Sequence, residues 1–405
     1  MTLERPELLA PAGNLDKLKT ALYFGADAVY AGGKNFSLRS FSDNFSDEEL
    51  KEGIAYAHAR GKKVYVAVNI YARGGDFPAA EEYFAFLQEA GADAALVSDP
   101  GMLRAARRAA PRLPLHISTQ ANTTNAYAAA FWKEQGASRV VLARELSLKE
   151  IAQIAALNPG LELEAFVHGA MCISYSGRCL LSDYLEGRPS NRGACVQACR
   201  WRYRVSPVRG DAEGAPMPVE EDSRGTYIFN SKDLNMLPYL RELGEAGVCS
   251  FKIEGRMKSA YYLATVVNAY RRVLDGALSV KEGEEELEKV SHRDFTAAYA
   301  FGDAHDTVNY ADSQKGGTHA YIADVLEGGA YPLIQMRGRF REGDTLEVLS
   351  PGGSFNKTFP VCGMVSEEGE RVPDAKFVMQ KLRVRVPFPL EAGDILRKKT
   401  AENEG

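Results

Sequence analysis

Four of the six cysteines in the 405-residue chain, Cys172, Cys179, Cys195 and Cys199, fall within residues 164–203. The gaps between them are six, fifteen and three residues. Thiolates are nucleophiles and soft metal ligands, so this segment has the donors for a metal ion or an iron–sulfur cluster. The opening MTLERPELLAPAG has no apolar signal core, so reduced thiols in the cytoplasm are expected rather than disulfides. The spacing is neither the paired C-x2-C of a zinc ribbon nor a ferredoxin run. It leaves an iron–sulfur cluster, zinc and a group of non-ligating buried cysteines all open.

The elements that must position these thiols can be read from hydrophobic runs and glycine punctuation. Residues 8–12, 28–31, 64–68, 94–97, 115–118, 140–143, 163–167 and 250–253 are short apolar runs with helical patterns between them. Gly25, Gly61, Gly91, Gly136 and Gly247 precede five of these runs. A glycine there ends a helix and turns the chain into a strand. Eight such units over about 270 residues predict a TIM-like (β/α)8 barrel rather than a doubly wound sheet. The first cysteine follows the seventh strand, so the thiols lie in an insertion of about residues 170–230. A helix over 234–246 should lead to the eighth strand, and another should span 259–274. The domain reading is a barrel over 1–285, a connecting segment over 286–314, and a small C-terminal all-β barrel domain over 315–400. The last rests on alternating runs at 320–326, 332–336, 345–349 and 382–386. The charged run KEGEEELEK reads as a solvated helix or linker, and the lone Cys362 as structural.

With 45% hydrophobic and 25% charged residues and a net charge of −5, the chain is an ordinary globular one. A general nucleic-acid coat is disfavoured, but a local basic patch is not. No run is long enough to span a membrane.

Barrel chemistry sits at the C-terminal ends of strands. There the sequence places Asn69, Gln120, Arg144, Glu145, His168, Glu254 and Arg256, with Arg39 after the second strand. Arg39, Arg144 and Arg256 could clamp a carboxylate in bidentate fashion. Glu145 and Glu254 could act in catalysis or orient the arginines beside them. His168, four residues before Cys172, could move protons near neutral pH or donate to a backbone carbonyl from the core. Around the cysteines, Arg178, Arg188, Arg192, Arg200, Arg202, Arg204 and Arg209 face only Asp183 and Glu186, interleaved with Tyr175, Trp201 and Tyr203. Such a strip suits a phosphate backbone and a stacked unpaired base, or it neutralises thiolates.

Beyond spacing, the segment closely resembles the signature of peptidase family U32. The matching residues are Glu164 and Phe166, His168-Gly169-Ala170-Met171-Cys172, Tyr175-Ser176-Gly177-Arg178-Cys179, Asn191-Arg192-Gly193-Ala194-Cys195, and Ala198-Cys199-Arg200. The family was long labelled collagenase-like, yet several members hydroxylate tRNA, ribosomal RNA or a ubiquinone precursor without O2. The resemblance covers nearly the whole chain and is nearest the branch that hydroxylates uridine in tRNA. It implies an iron–sulfur cluster of the 4Fe–4S type on Cys172, Cys179, Cys195 and Cys199, and prephenate as co-substrate. It implies tRNA as partner, with 5-hydroxyuridine formed at the wobble position, and for some members a family paralogue. The electron donor is left unnamed. On this reading the arginines would hold prephenate, and Tyr175, Arg178, Arg192, Arg200, Trp201 and Arg202 would meet RNA. One departure stands out: Asn235 follows Ser231-Lys232-Asp233-Leu234 where many relatives carry a cysteine. Either Cys199 is the fourth ligand or one iron is left to another ligand.

The sequence also admits two other readings. A peptidase would need a nucleophile such as Cys172 with His168 as base, and no HExxH is present. A non-catalytic RNA-binding scaffold is the third.

Overall fold

The structure is a computed structural model that describes residues 5–37, 44–172, 174–175, 178–188, 190–201, 221–222, 225–226, 231–302 and 316–400. Its strands and helices alternate as β1 (Glu7–Pro11), α1 (Leu15–Tyr23), β2 (Ala28–Gly32), α2 (Asp47–His58), β3 (Lys63–Val68), α3 (Phe77–Glu89), β4 (Ala94–Val97), α4 (Pro100–Ala109), β5 (Leu115–Ile117), α5 (Ala126–Glu134), β6 (Arg139–Val141), α6 (Leu148–Leu157) and β7 (Glu162–Ala170). After a short helix α7 (Leu181–Glu186) come β8 (Asp233–Asn235), α8 (Leu240–Glu245), β9 (Val248–Ile253), α9 (Ala260–Leu274) and α10 (Val280–Leu287). Strands β1 to β7 pair in sequence, all parallel, and β9 pairs with both β1 and β7. The sheet therefore closes on itself as an eight-stranded parallel barrel, as the sequence predicts.

Local chemistry explains the alternation. Ser46 and Ser147 accept from the backbone N–H of Glu49 and Glu150, and those glutamates reach back to the serine N–H. These are capping boxes that start α2 and α6. Gly91 (φ +81°) and Gly136 (φ +84°) take the left-handed turn out of α3 and α5, a conformation that costs other residues about 1–2 kcal/mol.

The expected helix over 234–246 is shorter than predicted. Asp233–Asn235 instead pairs antiparallel with the overhanging end of β7, Leu234 opposite Gly169. Strand β7 runs nine residues and leaves backbone groups open there, and such groups must be satisfied. Asp233 is further held by Arg293 at 3.2 Å.

Contacts divide the chain into two compact units. The first gathers Met1–Leu18, Asp27–Met257 and Arg293–Lys315, and the second gathers Lys19–Ala26, Lys258–His292 and Gly316–Gly405. The second unit contains a seven-stranded antiparallel sheet in the order Thr358–Pro360, Thr345–Leu349, Ile395–Lys399, His319–Glu327, Leu333–Met336, Lys381–Arg385, Cys362–Ser366. Its core includes Ile334, Leu346, Val348, Met364, Leu382 and Leu396, all buried. The all-β expectation for this region holds. The charged run, however, is not simply solvated. Glu286 is buried and bonded to the fully buried Arg397 at 2.7 Å and to Lys289 at 2.6 Å, and Lys289 also reaches Glu347 at 2.8 Å. A buried carboxylate persists only when paired in this way.

Candidate functional site

The end of β7 is built for close approach. Gly169 has φ +107°, and a Cβ there would lie 2.6 Å from the Glu254 carbonyl, so only glycine fits. His168 just before it is buried, its ring 5.6 Å from that of Phe295. Beyond the strand, Met171 turns inward and Cys172 outward.

Cys172 faces a cavity of about 620 Å³ that it shares with Asn122, Thr124, Glu145, Ser174, Tyr175, Arg178 and Tyr299. Two strand-end loops are tied together beneath it. Thr119 donates to the Leu142 carbonyl at 3.1 Å, and the Ala143 N–H donates to the Thr123 carbonyl at 3.2 Å. These bonds set Asn122 and Thr124 beside Glu145. Asn122 sits in a left-handed turn at φ +55°, a conformation asparagine tolerates better than most residues. Tyr299 arrives from far along the chain because the Leu148 N–H donates to the Ala300 carbonyl at 2.9 Å. Burial, together with the nearby Glu145 carboxylate and Tyr175, raises the Tyr299 hydroxyl above its ordinary value. It therefore stays a neutral hydrogen-bond donor.

The cysteine segment folds back on itself. Ser190 donates to the Cys179 carbonyl at 2.7 Å, and the Val196 N–H donates to Ser182 at 3.1 Å. The Gln197 N–H approaches the Cys195 sulfur at 3.4 Å. None of the four cysteines is in a disulfide; Cys172 and Cys195 are exposed, Cys179 and Cys199 partly buried. Four thiols on one segment are the right donors for an iron–sulfur cluster. As placed, however, no group of three or more His, Cys, Asp or Glu side chains among the described residues stands close enough to hold a metal. The chemistry of the donor set fits a cluster, and Cys172, Cys179, Cys195 and Cys199 are the residues that would hold it. Asn235 accepts from the Leu237 N–H at 3.0 Å.

Of the residues singled out by sequence, Glu145, Cys172, Tyr175 and Arg178 line this cavity, while Asn69, Gln120, Arg144, His168, Glu254 and Arg256 do not. Arg144 donates to the Ala170 carbonyl at 2.8 Å and lies over the Phe166 ring. Arg256 is buried and donates to Ser37 at 2.8 Å and Asn44 at 2.6 Å. Asn69 donates to Ser118 at 3.1 Å, and Glu254 accepts from Tyr30 at 3.0 Å. Gln120 lies in a single 3-10 turn, Thr119–Ala121. Arg192 is committed to Asp76 rather than left open: Nη1 and Nη2 reach its two oxygens at 3.0 and 3.1 Å. Trp201 is exposed. Arg39, Arg202 and the side chain of Arg200 lie outside the described residues. Asn122, Thr124, Ser174 and Tyr299 are the lining residues that sequence reasoning missed.

It also missed an ionic network inside the barrel. Glu164, fully buried on β7, bonds Lys252 of β9 at 2.6 Å and Arg139 of β6 at 3.1 Å. Arg139 also meets Glu7 of β1 at 2.6 Å, and Glu7 accepts from Tyr65 and Ser250. Burial opposes ionisation of Glu164, but Lys252 and Arg139 outweigh it and hold the carboxyl below its usual range. Burial, reinforced by Arg139, pushes His116 down to about 3.

A closed (β/α)8 barrel with a thiol-bearing loop after its seventh strand and a polar cavity at its strand ends defines the class of protein. The chain belongs to peptidase family U32: the model of that family matches residues 13–310, and the model of the family's C-terminal domain matches residues 318–397. It is 38% identical to tRNA hydroxylation protein P1 of Bacillus subtilis over 98% of this chain and 95% of that one. It is 37% identical to tRNA hydroxylation protein P of Escherichia coli over 96% and 95%. It is 36% identical to the 23S rRNA 5-hydroxycytidine C2501 synthase of Escherichia coli over 68% of this chain and 40% of that one.

Proposed function

We propose that this protein is an RNA hydroxylase that forms 5-hydroxyuridine at the wobble position of tRNA, independent of O2, with an iron–sulfur cluster and with prephenate as co-substrate. The observation that carries this reading is the shared cavity, in which a thiol (Cys172), a carboxylate (Glu145), a guanidinium (Arg178) and two phenols (Tyr175, Tyr299) converge. Its volume is in the range that encloses a small ligand, and an unpaired base is of that size. The names of the relatives support hydroxylation of RNA as the class of reaction.

Within that cavity each residue has a physical role. A base in an anticodon loop is already partly unstacked, so presenting its ring costs less than from a duplex. Tyr175, with about half its surface exposed, offers a face for stacking. Arg178 supplies charge for a phosphate or carboxylate, Tyr299 a neutral donor, and Glu145 an acceptor. Replacing C–H by C–OH is a two-electron oxidation of the base; without O2, either water supplies the oxygen and two electrons and two protons pass to an acceptor, or an oxygen-donating co-substrate is itself reduced. Cys172, Cys179, Cys195 and Cys199 would hold the cluster, which when bound supplies one-electron transfer or a Lewis-acidic iron. Arg144, Arg256 and Arg39 remain the proposed carboxylate clamp; for Arg256 this requires exchange of its bonds to Ser37 and Asn44. The protein would act in the cytoplasm with a redox partner that balances this oxidation and, as the family resemblance implies, a family paralogue. Among the described residues, no helix is long and apolar enough to cross a membrane.

The test is reconstitution. Anaerobically purified protein should carry about four irons with matching sulfide and should hydroxylate unmodified tRNA only when prephenate is added. Iron-free protein that cleaves peptides and leaves tRNA unchanged would favour the peptidase reading. Hydroxylation of ribosomal RNA instead would move the substrate.

A further inference from the structure

We infer that the outer flank of the barrel formed by α4 and α5 is a second RNA-contact surface, which grips the phosphodiester backbone away from the cavity at the mouth. This rests on the reading of the protein as an RNA hydroxylase and adds where the body of the substrate lies.

Helix α4 has the sequence PGMLRAARRA. Its buried face is Met102, Leu103, Ala105 and Ala106, while Arg104, Arg107 and Arg108 are exposed. At spacings of three and four residues the arginines share one face, with Arg104 and Arg108 about 6 Å apart along the axis. Beside them runs a groove of about 430 Å³, completed by Phe131, Trp132 and Gln135 of α5 and its C-terminal turn. Arg107 is aimed by donating to the Gln135 carbonyl at 2.9 Å, and a guanidinium carries five N–H donors. Arg108 pairs with Glu81. No carboxylate among the described residues pairs with Arg104.

The aromatic neighbour selects the partner. Phe131 is 46% exposed, and its ring is fixed edge-on to the buried Trp132 at 5.1 Å. Tyr127, one turn earlier, is 86% exposed. A guanidinium stripe on a chain of net charge −5 attracts a polyanion locally. Exposed rings beside it give unpaired bases a place to stack, which an acidic protein surface would not use. A merely solvated helix face would not need ordered aromatic rings at its edge.

The test compares the full-length protein with Arg104→Glu/Arg107→Glu, measuring affinity for unmodified tRNA across a salt series. Each phosphate contact contributes roughly 0.7–0.9 to the slope of log affinity against log salt. The paired reversal should lower affinity at least tenfold and flatten the slope by about one to two, with the thermal midpoint unchanged. Arg104→Lys/Arg107→Lys should keep most of the slope, because lysine also neutralises phosphate. Wild-type binding that the reversal leaves unaltered in both affinity and slope overturns the inference and spares the hydroxylase reading. So does a reversal that changes only the oligomeric state, since the flank is then a protein interface. Failure of the wild type to bind tRNA at all sinks both.

Discussion

Arg192 closes on Asp76 as a two-pronged ion pair, with Nη1 and Nη2 at 3.0 and 3.1 Å from the carboxylate oxygens. Arg192 also donates to the Tyr71 carbonyl at 2.8 Å. These bonds fasten the cysteine segment to the loop after β3, so a residue inside the Asn191-Arg192-Gly193-Ala194-Cys195 motif works as a clasp. Asp76→Asn should therefore loosen the segment more than it destabilises the fold. Partly exposed pairs contribute only about 0–1 kcal/mol, so the unfolding midpoint should barely move. Iron retained after anaerobic purification should fall several-fold. Unchanged iron content would show that the clasp is dispensable for the thiols.

Inside the barrel, Glu164 sits between Lys252 and Arg139 with no access to water. Glu164→Gln leaves two buried cations short of a counter-charge. Breaking a buried pair in this way costs about 3–5 kcal/mol, which a urea titration would register as a large drop in midpoint. A loss under about 1 kcal/mol would mean that Glu7 alone balances the network.

His116 gives stability a pH dependence of known sign. Its imidazole is held near 3 in the folded protein, chiefly by burial and then by Arg139, against 6.5 for a free histidine. Between those values the unfolded chain binds a proton that the folded chain refuses. The contribution of His116 is therefore complete above about 6.5 and declines as the pH falls towards 3. His116→Phe should flatten the fall in melting temperature between pH 6.5 and 4.5 relative to wild type. Parallel curves for the two proteins would contradict this.

Gly169→Ala should destabilise by roughly 2 kcal/mol or more, since it combines a strained backbone with a Cβ pressed on the Glu254 carbonyl. Chemical denaturation reads this directly. A neutral result would mean that β7 and β9 can separate at their ends.

In the cavity, Glu145→Gln and Tyr299→Phe each remove one polar function and almost no volume. Turnover on tRNA should drop about a hundredfold for the first and less for the second, with both folds intact by melting temperature. Full activity in both variants would place the chemistry outside this cavity.

Much of the fold was legible because each barrel strand is a short apolar run, often announced by a helix-ending glycine such as Gly91 or Gly136. The thiols were legible as a motif. What escaped reading depends on contacts between distant residues. Tyr299 comes from a segment that reads as a connector and is delivered by the Leu148–Ala300 hydrogen bond. Asp76 claims Arg192 across 116 residues, which no local pattern reveals. The interior ion network did leave a trace: Glu7, Arg139, Glu164 and Lys252 interrupt otherwise apolar strands, and four such interruptions on different strands suggest mutual pairing. The charged run around Glu286 shows the converse, in that composition alone does not say which carboxylate meets a buried Arg397.

The most direct measurement is mass spectrometry of nucleosides from tRNA and ribosomal RNA in a strain lacking this chain and in its parent. The account predicts that 5-hydroxyuridine-type nucleosides disappear from tRNA, and that the wild-type gene restores them while Cys179→Ala does not. Unchanged tRNA nucleosides in the deletion strain, with no paralogue left to compensate, would contradict it.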